Sequence, residues 1–239
     1  MTGPVPADGG PDGDGLQGLQ AVMFDMDGLL VDSEPLWFKA EGVVMDRLGG
    51  SWSEEDQQVL LGGSMPVTVA HLLSKASRPQ PPETVARWLA ETMTQLLTAG
   101  PVPVMPGAVE LVAEVAAAGL PYALVTSSEP EIVTAVLAGL DVTFPVIVCA
   151  ADVAHAKPDP EGYLLAAAKL GAEPGRCIAL EDSRNGVAAA QAAGFFTVAV
   201  PGVVPIPPAP GRVVLPTLAG VNLGRLSALA AAARSGADG

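Results

Sequence analysis

Cysteine is scarce: Cys149 and Cys177 are the only two in 239 residues, and each sits inside an apolar run. That excludes a disulfide-stapled scaffold and fits buried free thiols in a reducing compartment. Positive charge is scarce as well. Twelve Lys and Arg stand against 26 Asp and Glu, a net charge of −14 with no basic cluster, which argues against nucleic acid or an acidic membrane surface as partner. No apolar run approaches the roughly 18 residues of a membrane span. The N-terminus has neither the basic start nor the apolar segment of an export signal. The expectation is a cytoplasmic, monomeric protein with a small-molecule partner. Residues 1–17, dominated by Gly, Pro and Asp, are expected to form a flexible tail, with folded sequence beginning near Leu19.

Apolar residues, by contrast, make up 49% of the chain, enough for a substantial core. They gather in short continuous runs: Ala21-Val22-Met23-Phe24, Tyr122-Ala123-Leu124-Val125, Val146-Ile147-Val148, Ile178-Ala179-Leu180, Thr197-Val198-Ala199-Val200 and Val213-Val214-Leu215. Continuous rather than alternating hydrophobicity marks strands covered on both faces, as in a parallel sheet. Helical stretches lie between them. Ala108–Ala118 follows Pro106-Gly107 and ends at Gly119, another helix opens at Glu129-Pro130, and a third runs from Asp159-Pro160 to Gly171. The alternation predicts a doubly wound, Rossmann-like α/β core. One stretch departs from it. Residues 34–102 hold helical segments at 34–48, 53–60, 66–77 and 82–98 and no strand-like run, so a small all-helical cap domain inserted after the first strand is expected. The core then comprises 18–33 and 103–239. There is no internal repeat.

Ligands of open α/β sheets bind beyond the carboxyl ends of the strands. Strand one delivers Asp25-Met26-Asp27-Gly28 there, strand two Thr126-Ser127-Ser128, and strand four Glu181-Asp182-Ser183; Lys157 follows strand three. Clustered carboxylates repel one another unless a cation neutralises them, and a hard divalent ion such as Mg²⁺ suits oxygen ligands. With Lys157 it would offset the charge of a phosphoryl group, to which Thr126 adds a hydroxyl donor. A carboxylate nucleophile, Asp25, would split hydrolysis into two steps. Gly28 permits a tight turn that lets both aspartates face the site.

These four strand-end motifs, in this order, resemble the haloacid dehalogenase superfamily of phosphotransferases across residues 19–225. The helical insert is similar to the cap of its β-phosphoglucomutase-like subgroup. DMDGLLVDSEPLW with ALEDSRNGV looks most like the hexitol-phosphate and 2-deoxyglucose-6-phosphate phosphatases. The resemblance implies a Mg²⁺-dependent phosphatase acting on a small phosphorylated metabolite through an aspartyl-phosphate. Asp25 is then the nucleophile and Asp27 the acid and base. Thr126, Ser127, Lys157 and Gly28 bind the phosphoryl group. The ion is held by Asp25, the Asp27 carbonyl and Asp182, with Glu181 direct or through water. Cap residues Trp37, Gly62 and Met65 would meet the rest of the substrate, although Trp37 and Met65 read equally well as packing. His155 reads as a loop residue.

Two departures bear on the reaction. Trp37 stands where phosphoglucomutase relatives carry histidine, and Met65 where they carry the arginine that holds a second phosphate. A mutase-like phosphotransferase is therefore the second choice. A non-catalytic phosphate-binding module of the receiver kind is the third; receivers are shorter and lack the helical insert.

Overall fold

Strand β1 (Ala21–Phe24) is buried along its whole length, and its residues divide by parity. Val22 and Phe24 enter one hydrophobic cluster, Ala21 and Met23 the other. A strand with apolar side chains on both faces needs helices on both faces, and this is how the chain is built. The computed structural model of the protein describes residues 18–235, so the expected tail over 1–17 lies outside the described residues. The further strands are β2 (Tyr122–Val125), β3 (Val146–Val148), β4 (Cys177–Glu181), β5 (Phe196–Ala199) and β6 (Arg212–Val214). They form one sheet in the order β3-β2-β1-β4-β5-β6, every pair parallel, with Met23 opposite Ala123 on one side and Ala179 on the other. The doubly wound α/β fold is therefore present. The chain runs outward from β1 through β2 to β3 and then returns to β4 beside β1. That reversal opens a crevice at the carboxyl ends of β1 and β4.

Four helices separate β1 from the next core helix: α1 (Glu34–Leu48), α2 (Glu54–Leu60), α3 (Met65–Lys75) and α4 (Pro82–Thr98). Then come α5 (Ala108–Ala117), α6 (Pro130–Ala138), α7 (Glu161–Leu170), α8 (Arg184–Ala192) and α9 (Leu223–Ser235). One face of the sheet packs on residues of α5, α6 and α9, the other on residues of α7 and α8. The inserted helices bury a cluster of their own, Val44, Met45, Leu48, Val69, Leu72, Val85 and Leu89. Further along α4, Met93 and Leu97 join the sheet's cluster. Helix α2 is capped reciprocally by Ser53 and Asp56, and Asp56 also meets Lys75 and His71 of α3. Those two hydrogen bonds hold the Asp56 carboxyl well below the usual carboxylate range.

Helix α3 stops at Lys75 rather than reaching the expected 77. The physical reason is a competing set of bonds: Ser77 Oγ donates to Gly49 O and Arg78 N–H to Leu48 O, which draws the chain to the end of α1. Cys149 and Cys177 are both buried and free, as expected. Among the described residues no helix is long and apolar enough to cross a membrane.

Candidate active site

Asp25 follows β1 directly. Its backbone N–H still donates to Leu180 O in β4 at 3.1 Å, so the sheet fixes the residue while its side chain projects past the strand ends. Three residues on, Gly28 adopts φ +80°, and a Cβ there would lie 2.1 Å from Asp182 Oδ2. Only glycine lets this turn come so close to the carboxylate.

Lys157 is the centre of the polar cluster. Its Nζ donates to Asp25 Oδ1 at 2.6 Å, to Glu181 Oε1 at 2.6 Å and to Val125 O at 2.9 Å, and it sits 5.1 Å from the centroid of the Tyr163 ring. All three ammonium hydrogens are thus committed to protein acceptors. Burial alone would lower the lysine, but Asp25 and Glu181 hold it protonated above its ordinary range. Glu181 is fully buried. Its Oε1 also accepts from Tyr163 OH at 2.6 Å, and its Oε2 from the Asp182 N–H at 3.2 Å.

Asp27 faces a different set of donors. Ser33 Oγ (2.6 Å) and Trp37 Nε1 (3.2 Å) bond its Oδ1; Ser128 Oγ (2.6 Å) and, more loosely, Thr126 Oγ1 (3.5 Å) bond its Oδ2. Both oxygens are therefore oriented from the sheet side and from α1 together.

Asp25, Glu181 and Asp182 place carboxylate oxygens within 4.8 Å of one another. Burial, then repulsion from Glu181, pushes Asp25 up to about 8 against the pull of Lys157. Burial and the charges of Asp25 and Glu181 raise Asp182 well above its ordinary value. The trio is short of positive charge, and a divalent cation fits that need. The crowding has a sharp consequence at Gly186 in the first turn of α8. A Cβ there would fall 2.0 Å from the Glu181 carboxylate, which Lys157 and Tyr163 pin in place. Gly-to-Ala inside a helix ordinarily stabilises by about 0.5–1 kcal/mol. Gly186→Ala is expected to do the reverse, lowering stability in denaturant unfolding by about 1–3 kcal/mol through overpacking.

The crevice is lined from the sheet side by Asp25, Asp27, Thr126, Ser127, Lys157 and Asp182, and from the helical side by Trp37, Gly62 and Met65. Glu181 and Gly28 stand behind this lining. Gly62 lies where the loop after α2 rests on the start of α8: Asn185 Nδ2 donates to Gly62 O at 2.9 Å, and a Cβ at Gly62 would come within 2.7 Å of Ser183 Cβ. His155 is an exposed loop residue, 3.1 Å from Glu161. Sequence reasoning missed Ser33, Ser128, Tyr163 and, on the helical side, Glu34, Glu41 and Gln57. Tyr163 left a signal, a phenol beside the apolar run 164–168 that needs a partner once buried.

The chain matches the family model of haloacid dehalogenase-like hydrolases over residues 19–194. It belongs to the haloacid dehalogenase-like hydrolases. It is 37% identical over 186 residues to hexitol phosphatase B of Escherichia coli K12, covering 76% of this chain and 83% of that protein. Two similar solved structures are of CbbY from Rhodobacter sphaeroides. One, in complex with phosphate, has a TM-score of 0.80 and 30% identity, covering 87% of this chain and 99% of that one. The other, in complex with xylulose-(1,5)-bisphosphate, has a TM-score of 0.78 and 28% identity with the same coverage. Membership of this hydrolase family removes the non-catalytic module as a reading.

Proposed function

We propose that this haloacid dehalogenase-like hydrolase is a Mg²⁺-dependent phosphatase that cleaves a small sugar or polyol phosphate through an aspartyl-phosphate on Asp25. The observation that carries the reading is the placement of Asp25: a carboxylate at a strand end, fixed by Lys157 through Oδ1, with its other oxygen free to attack phosphorus in the crevice. In the first step the Asp25 oxygen forms a bond to phosphorus as the ester oxygen leaves, and Asp27 gives that oxygen a proton. In the second, Asp27 takes a proton from water, the water oxygen bonds phosphorus, and Asp25 is released with inorganic phosphate. The donors from Ser33, Trp37, Ser128 and Thr126 fix the orientation of the Asp27 carboxyl group for this role. Thr126 and Ser127 offer hydroxyls to the phosphoryl oxygens. Lys157 contributes chiefly charge, because its hydrogens are already shared among protein acceptors. Asp25 and Asp182, with the Asp27 carbonyl, would hold the Mg²⁺, and Glu181 braces Lys157 behind them. Bound there, the ion would neutralise charge on the phosphoryl oxygens. Residues 34–102 act as a cap over this crevice, and 18–33 with 103–239 as the catalytic core.

Hydrolysis is favoured over a mutase reaction by the crevice's charge. Among the described residues that line it, Lys157 is the only cation. Trp37 has its N–H on Asp27, and Met65 offers a second phosphate no partner. The test is phosphorus NMR of the protein with Mg²⁺, β-glucose 1-phosphate and a trace of the 1,6-bisphosphate, run beside glucose 6-phosphate and sorbitol 6-phosphate. Inorganic phosphate released from the 6-phosphates, with no isomerisation of the 1-phosphate, is the expected result. Accumulating glucose 6-phosphate would instead identify a mutase.

A further inference from the structure

Three side chains of α1 face the crevice at helical spacing, Glu34, Trp37 and Glu41. Two of them have partners within the site. Trp37 donates to Asp27, and Glu34 Oε2 accepts from Gln57 Nε2 at 3.2 Å. Glu41 is different. The residue is 3% exposed, and its Oε2 makes no hydrogen bond. The indole N–H of Trp52 bears on it and favours the charged form, yet falls short of a hydrogen bond, and Trp52 Nε1 is unpaired as well. Leaving a buried acceptor unsatisfied costs about 1–3 kcal/mol, so native structures rarely keep one without a use.

We propose that Glu41 is a specificity-determining residue that hydrogen-bonds a hydroxyl of the substrate's organic portion, selecting a neutral, polyhydroxylated leaving group. The inference rests on the phosphatase reading and names the residue on the cap side that reads the substrate. Its surroundings agree in chemistry. Thr68, buried beside the crevice, adds a hydroxyl and Gln57 an amide, while Glu34 and Glu41 present carboxyl groups. Lys157, the one cation among the described lining residues, is engaged with Asp25 on the sheet side. A carboxylate or second phosphate placed against α1 would give up water and meet no positive charge there, which works against it. A sugar or polyol hydroxyl meets no such penalty, because it can donate and accept at once. Burial, then the charge of Glu34, pushes Glu41 up to about 8. Near neutral pH the carboxyl is therefore largely protonated and offers a donor beside an acceptor.

Glu41→Leu and Glu41→Gln separate this role from simple packing. Each is assayed, with wild type, on sorbitol 6-phosphate and on p-nitrophenyl phosphate, whose leaving group has no aliphatic hydroxyl. For Glu41→Leu, kcat/KM on sorbitol 6-phosphate should fall by about 10- to 100-fold, the range for a lost buried hydrogen bond. The selectivity ratio between the two esters should fall by about tenfold or more. Glu41→Gln, which keeps the shape and both hydrogen-bonding functions, should lose less and guards against a leucine variant that fails to fold. With monodeoxy hexose 6-phosphates, the analogue lacking the hydroxyl that Glu41 holds should cost wild type activity and cost Glu41→Leu nothing further. An unchanged selectivity ratio, or losses that simply add across the deoxy series, would overturn the proposal and leave Glu41 as a packing partner of Trp52. Wild-type protein that hydrolyses neither ester would overturn the phosphatase reading itself, and this inference with it.

Discussion

Asp25→Asn is expected to abolish turnover while the protein stays folded. The amide matches the carboxylate in shape but cannot attack phosphorus, and losing a nucleophile costs on the order of 10⁴-fold or more in kcat. The fold should not suffer. Lys157 keeps Glu181 and Val125 O as acceptors, and one of three crowded acids is neutralised. Steady-state phosphate release and thermal unfolding, measured on the same sample, make the check. Activity within about tenfold of wild type would remove Asp25 from the nucleophilic role. A collapse of the melting transition would place it in stability instead.

Metal removal should have an effect of similar size. Activity is expected to vanish in EDTA and return with Mg²⁺, and Asp182→Ala should need more Mg²⁺ to reach half its maximal rate. The electrostatics add a signed pH dependence. Asp25, ordinarily near 3.8, lies at about 8 in the metal-free protein, so the folded state binds protons that the unfolded chain has already released. Stability of the metal-free protein therefore declines as pH rises between those values. Mg²⁺ must displace the same protons, so its apparent affinity rises with pH over that window. Saturating Mg²⁺ at about 100 times its dissociation constant should add about 2.7 kcal/mol. The shift in melting temperature should be larger at pH 8 than at pH 5. Full activity in chelator would remove the metal assignment.

Much of this site could be read from the chain because a parallel sheet concentrates its exceptions. β1 and β2 are apolar to their ends and β4 until its last residue, so Asp25 and Thr126, each the next residue after its strand, and Glu181 stand out as polar residues that packing does not ask for. What escaped notice is what only tertiary placement creates. Within Thr126-Ser127-Ser128 all three hydroxyls look alike in sequence; the chain's turn after β2 brings Ser128, not Ser127, to 2.6 Å from Asp27. Glu34 and Glu41 have the composition of any solvated helix face, and their burial follows from α1 lying over the crevice. The end of α3 at Lys75 is not legible in the local sequence because bonds from Ser77 and Arg78 to the end of α1 decide it, and those partners are about thirty residues distant.

Lys157 also joins three neighbouring strands. Its ammonium bonds the residue after β1, the last carbonyl of β2 and the last carboxylate of β4, positions 132, 32 and 24 residues away along the chain. Contacts between such distant positions form only when the intervening chain has found its place. The knot tightens when β2, β1 and β4 lie side by side in register, so no fragment of the sheet can carry it. Recovery of activity in a refolding experiment is thus a clock for completion of the whole topology, not for formation of any one of its parts.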